Sequence, residues 1–143
     1  MKNMMVLMGH GHYATGIEST VRLIVGKTEG VSYIDFLEED SSDDLMKKAV
    51  KVVEENEDSN IVFICDILGG TPFNTAVKLS LENENIRVVA GCNVSSIVET
   101  IMMKEHLEVD SLVEDLIGKT KSTVCNFKRQ ESLTEEILEE DGI

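Results

Sequence analysis

Short apolar runs and amphipathic stretches alternate along most of this chain. Met4 to Met8 is an apolar run of strand length that stops at Gly9-His10-Gly11. Thr15-Gly16-Ile17-Glu18 then fits a capping box, and Ile17, Val21, Ile24 and Val25 follow at helical spacing up to Gly26, placed to end the helix. Val31 to Phe36 reads as a second strand, between Gly30 and the acidic run Glu38 to Asp40. Ser41 or Ser42 caps a second helix whose first turn holds Asp43 and Asp44 and whose stripe is Leu45, Ala49, Val52 and Val53.

After the polar loop Asn56 to Asn60, Ile61 to Cys65 is apolar without alternation, as expected of a strand covered on both faces. Gly69-Gly70 turns the chain, with Thr71 as cap and Pro72 as the first helical residue. A fourth strand runs from Ile86 to Ala90, then a helix from about Ser96 to Met103 with a box-like Ser96 and Glu99. Val109 to Ile117 is the last helix, carrying Leu112, Val113, Leu116 and Ile117, and Ser122 to Phe127 has strand composition. From Lys128 the chain is polar and acidic, broken mainly by Ile137 and Leu138. The domain is therefore expected over 1–127, with 128–143 a tail or linker.

Such alternation predicts an α/β fold: a doubly wound, mostly parallel sheet with right-handed crossovers. For so short a chain the economical strand order is 2-1-3-4, which makes strands one and three neighbours and sends their helices to opposite faces. The crevice between their carboxyl ends is the switch point where open α/β proteins bind ligands. Both glycine-rich turns fall there.

Composition narrows the function. The 143 residues are 42% hydrophobic and 28% charged, which suits one globular domain. The formal charge of −14 argues against nucleic acid and anionic membranes as partners. Neither a membrane-spanning segment nor a signal peptide is read, so a cytoplasmic location is expected. Cys65, Cys92 and Cys125 form no CxxC pair and read as buried free thiols. His10, His12 and Asp66 make a poor metal set, so no metal and no cofactor are expected.

Given that order, His10 and Asp66 face each other across the switch point. A carboxylate on one imidazole nitrogen fixes the tautomer, leaves the other nitrogen as a nucleophile and offsets the positive charge formed on attack. Gly69, Gly70 and Thr71 precede a helix whose first N–H groups are unpaired, a ready anion site. Gly9, Gly11 and Leu68 line the same place. His12 and Tyr13 could line the same crevice, with His12 as readily facing solvent, and Asn93 could cap its helix or lend its amide to the site. These parts suit phosphoryl chemistry on histidine. The chain has no GxxxxGK[ST] loop for a nucleotide.

With these residues in view, the chain resembles the mannose-type (mannose, fructose, sorbose) enzyme IIA component of the bacterial phosphoenolpyruvate-dependent sugar phosphotransferase system. The likeness rests on the HG after strand one, the D-x-x-G-G-T-P-x-N that starts at Asp66, and the G-x-N turn that ends at Asn93, in order over residues 1–127. It departs from the family at Ser95, where a proline is usual. The resemblance implies that His10 receives a phosphoryl group on Nε2 from the phosphocarrier protein HPr and passes it to a IIB domain. Asp66 would be bonded to Nδ1, with donors around Gly70 and Thr71. It further implies a homodimer in which the final strand, about Ser122 to Phe127, crosses to the partner's sheet as an antiparallel edge. Two alternatives stand beside it: a phosphocarrier subunit of a dihydroxyacetone kinase system, and a non-catalytic regulatory module that reads a small anion or a partner.

Overall fold

The computed structural model describes residues 1–129; Ile137, Leu138 and most of the acidic tail lie outside them. The elements run β1 (Lys2–His10), α1 (Tyr13–Val25), β2 (Val31–Phe36), α2 (Ser42–Glu54), β3 (Ser59–Cys65), α3 (Thr71–Glu82), β4 (Ile86–Ala90), α4 (Val94–Met103) and α5 (Val109–Thr123). The sheet is parallel throughout in the order β2-β1-β3-β4, as the alternation predicts.

Successive strand residues point to opposite faces, and this period of two sorts the core into two layers. Met5 and Leu7 of β1, with Val62 and Ile64 of β3, meet Ala14 and Val21 of α1, Ile97 and Ile101 of α4, and Leu112 and Leu116 of α5. Met4, Val6 and Met8, with Ile61 and Phe63, meet Leu45 and Ala49 of α2 and Ala76 of α3. Helices α1 and α3 thus leave on opposite faces of the sheet. This opens the switch point between the ends of β1 and β3. No described helix is long and apolar enough to cross a membrane.

Several helix starts differ from expectation for one reason: the cap comes from elsewhere. Helix α1 begins at Tyr13 with His12 in the cap position, so Thr15 and Glu18 form no capping box. The Thr15 N–H donates instead to Asp35 Oδ1 at 3.0 Å, and its hydroxyl to Asp35 Oδ2 at 2.6 Å. The carboxylate of β2 therefore satisfies a donor that α1 leaves open. Gly70, not Thr71, caps α3, and Asn93 starts α4 at Val94 by accepting the Ser96 N–H at 2.9 Å. The expected cap at Ser41 is present, with Asp44 closing a reciprocal capping box.

The C-terminal segment also needs correction. Helix α5 continues through Thr123, so Ser122 and Thr123 are helical. Residues 124–129 leave it with no regular secondary structure and form no strand of this sheet. Cys65 is buried and Cys92 half-buried, but Cys125 is exposed, contrary to the expectation of three buried thiols.

Candidate functional site

Parallel register carries the site residues to one edge. Met8 pairs with Cys65, so β1 overruns the end of β3 by two residues and brings His10 beside Asp66. His10 Nδ1 lies 2.9 Å from Asp66 Oδ2, and the His10 backbone N–H donates to the same oxygen at 2.9 Å. Asp66 Oδ1 accepts the N–H of Ile67 at 2.9 Å. A carboxylate held at three points has little freedom to turn. With an acceptor against Nδ1, the ring proton belongs there and Nε2 keeps its lone pair. The side chain of Asp66 is 12% exposed and that of His10 is 44%, so the carboxylate is shielded while the imidazole is open.

Three glycines shape this arrangement by closeness or turn geometry. A Cβ on Gly9 would lie 2.4 Å from Tyr13 Cδ1 and 2.8 Å from Asp66 Cγ, so only glycine leaves room there. Gly11 has φ +56°, a conformation that favours glycine, and its N–H is tied to Phe36 O at 2.7 Å. Gly70 stands against the imidazole itself: a Cβ on it would come 3.0 Å from His10 Cε1.

The start of α3 supplies donors. The Gly70 N–H turns back to Ile67 O at 3.2 Å, and Asn74 holds Gly69 O through its side-chain amide at 3.1 Å. Pro72 has no N–H, which leaves those of Thr71 and Phe73 as the open donors of the first turn, with the Thr71 hydroxyl beside them. Leu68 and Ile67 are exposed at the rim.

Asn93 is spent on structure: its oxygen caps α4 and its Nδ2 donates to Thr123 Oγ1 at 2.9 Å. His12 lies on the other side of β1, largely exposed, with Nδ1 3.1 Å from Asp35 Oδ2. Burial raises the pKa of Asp35, but the bonds from Thr15 and His12 outweigh it and hold the carboxyl below its ordinary value. Burial, with Asp66 and Cys92 near, pushes the Cys65 thiol up to about 12, which leaves it inert.

Phe36 is a residue that periodicity alone did not mark: its ring centroid is 5.8 Å from that of His10. The register pair His10–Phe36 is the signal that finds it. An open groove of about 350 Å³ runs past His10, Gly11, Phe36, Leu37, Glu38 and Asp40. A larger cavity, about 570 Å³, lies at the opposite edge of the sheet between Lys2, Thr28, Glu29 and Lys104. Size would select it, but the imidazole–carboxylate pair lies at the other edge, at His10. No cluster of three or more potential metal ligands occurs among the described residues.

A family model described as the fructose IIA component of the phosphotransferase system (EIIA-man) matches residues 4–117. The mannose-specific EIIAB component of Escherichia coli K12 is 29% identical over 119 residues, which are 82% of this chain and 36% of that protein. The chain thus spans about a third of the length of that relative. Among solved structures, phosphotransferase system component EIIA from Streptococcus agalactiae is 33% identical, with TM-score 0.78, covering 87% of this chain and 96% of that one. The mannose/sorbose-specific IIA subunit from Enterococcus faecalis is 27% identical, with TM-score 0.84, covering 92% and 98%.

Proposed function

Because this chain belongs to the EIIA-man family, sugar-specific IIA components of the phosphotransferase system, we propose that His10 is its phosphoryl carrier. In this reading His10 Nε2 attacks the phosphorus of the phosphohistidine on HPr. The new P–N bond forms as the bond to the donor's histidine breaks, and the donor ring leaves with its electron pair. The proton stays on His10 Nδ1, and the positive charge gathered on the ring is offset by Asp66. A histidine of a IIB domain then attacks the same phosphorus and reverses these roles.

The observation that carries the reading is the three-point hold on Asp66, which presents an acceptor to Nδ1 and so keeps Nε2 nucleophilic. The N–H groups of Thr71 and Phe73 and the Thr71 hydroxyl are the donors available to the phosphoryl oxygens, reinforced by the dipole of α3. Gly69 and Gly70 add no side chain that would block them. Exposed Leu68 and Ile67 supply an apolar rim for protein partners.

A homodimer is part of the same reading. The β4 edge of the sheet is unpaired among the described residues, and Val124 and Phe127 are exposed just beyond α5, where they can reach a second copy. The reading also puts the protein in the cytoplasm, a reducing compartment that suits free thiols.

Incubation with phosphoenolpyruvate, the system's first enzyme and HPr tests the proposal. The expected product is an acid-labile, base-stable phosphate on the wild-type protein, absent in His10→Ala. Equal labelling of that variant would overturn the assignment.

A further inference from the structure

Tyr13 opens α1 directly behind the His10–Asp66 pair. Its ring edge and the Asp66 carboxyl carbon both occupy the space over Gly9, which a Cβ would contest with each of them. The ring also packs against the core layer formed by α1, α4 and α5. Its hydroxyl oxygen is buried and has no hydrogen-bond partner among the described residues. Burial foremost, then the nearness of Cys92, Asp66 and Cys65, raises the phenol pKa, so the group stays neutral beside the carboxylate.

A buried hydroxyl without a partner costs the fold stability and gives no reason for a tyrosine at this position. The ring, by contrast, flanks with Asp66 the bare surface of Gly9, and that carboxylate is only 12% exposed. Asp66 keeps its orientation only while His10 N, His10 Nδ1 and Ile67 N are better partners than solvent. An apolar wall removes that competitor and leaves the side chain no space to rotate into.

We propose that the Tyr13 ring is a positioning residue for phosphoryl transfer: across the bare face of Gly9 it backs the Asp66 carboxylate and holds Oδ2 against His10 Nδ1. This rests on the phosphoryl-carrier reading for its kinetic consequence, but not for its structural one. The ring acts through Asp66 on the tautomer of His10, and touches neither the phosphoryl group nor a partner protein.

The test compares Tyr13→Phe, Tyr13→Ala and Tyr13→Leu by ¹⁵N spectroscopy of His10 and by transfer from phospho-HPr. Tyr13→Phe keeps the ring, so the Nδ1–H tautomer and the rate should match wild type. In Tyr13→Ala the Nε2–H tautomer should grow, and kcat should fall about tenfold, the scale expected when a catalytic group is misplaced by a fraction of an ångström. KM should hold within about twofold, since the partner surface is unchanged. Tyr13→Leu keeps part of the apolar wall without the full ring, so it should show a smaller loss in the same direction, readable even if Tyr13→Ala does not fold. A wild-type tautomer in folded Tyr13→Ala or Tyr13→Leu would overturn the proposal, as would a Tyr13→Phe defect as large as theirs. The tautomer needs no partner protein, so this arm decides the role of Tyr13 even if wild type accepts no phosphoryl group, an outcome that would sink the carrier reading alone.

Discussion

Exchanging Asp66 for asparagine changes one atom and sets three hydrogen bonds against each other. In the wild type Oδ2 accepts the His10 N–H and faces Nδ1, while Oδ1 accepts the Ile67 N–H, each at 2.9 Å. All three partners ask for an acceptor, and an amide offers only one. With its oxygen toward His10, the amide NH2 meets the Ile67 N–H, donor against donor. That leaves a shielded N–H unpaired, a cost of about 1–2 kcal/mol. With the amide turned over, the NH2 meets the His10 N–H, donor against donor, and finds an acceptor only if Nδ1 gives up its proton, which moves that proton to Nε2 and blocks the nucleophile. In either orientation the negative charge that offsets the positive ring is gone. A charge-assisted bond is worth about 1.5–3 kcal/mol, which corresponds to a slowing of about 10- to 150-fold. Single-turnover transfer from phospho-HPr measures the rate, and thermal unfolding in parallel should show a native fold with a midpoint lower by a few degrees. A rate within twofold of wild type, on a folded Asp66→Asn protein, would refute the reasoning.

Two further perturbations separate the ring from its surroundings. Gly70→Ala brings a Cβ to 3.0 Å from His10 Cε1 without backbone strain, so the half-exposed ring should give by a few tenths of an ångström. The fold should persist while transfer slows by up to about tenfold, and an unchanged rate would show that the ring has slack. Asp35 has its carboxyl below the ordinary 3.8 in the folded state, so the unfolded chain binds that proton more tightly. The stability this contributes is fully present above the ordinary value and is lost as pH falls through the lower, folded value. Urea unfolding from about pH 5 down to about pH 2.5 should reveal it as a loss below about pH 4, and Thr15→Val, which removes one donor, should shrink that loss. An identical acid limb in the two proteins would contradict the cause assigned to the shift.

The layers of the fold were legible because burial writes itself into spacing. Ile61 to Cys65, apolar at every position, could only be covered on both faces, and its two sets of side chains do separate into the two core layers. Element ends were less legible, since their partners lie far along the chain. Thr15 looks like a cap only while Asp35, twenty residues on, is ignored. The segment from Ser122 misleads differently. Its β-branched and hydroxyl residues suggest a strand, yet Thr120 and Thr123 bond back to the carbonyls of Leu116 and Lys119, and Ser122 to that of Lys119. Those local bonds satisfy the hydroxyls inside the helix and remove the reason for it to stop early.

At the site, the residues legible in advance were those whose position follows from topology, and the illegible ones follow from packing. Strand order alone brings His10 near Asp66, because both stand at the carboxyl ends of neighbouring parallel strands, which lie along one edge of the sheet. The same logic does not reach Tyr13. Its place after the glycine turn marks it only as a residue that could line the crevice, and what fixes its neighbour is the missing side chain at Gly9, four residues earlier. A glycine before a histidine reads as a turn, but Gly9 is the last-but-one residue of β1 and has no positive φ. Its bareness is demanded by the carboxylate and the ring that share its surface. A glycine inside a strand whose neighbours are a histidine and a half-buried aromatic therefore points to a third group packed against its bare surface, and here that group is the carboxylate bonded to the imidazole.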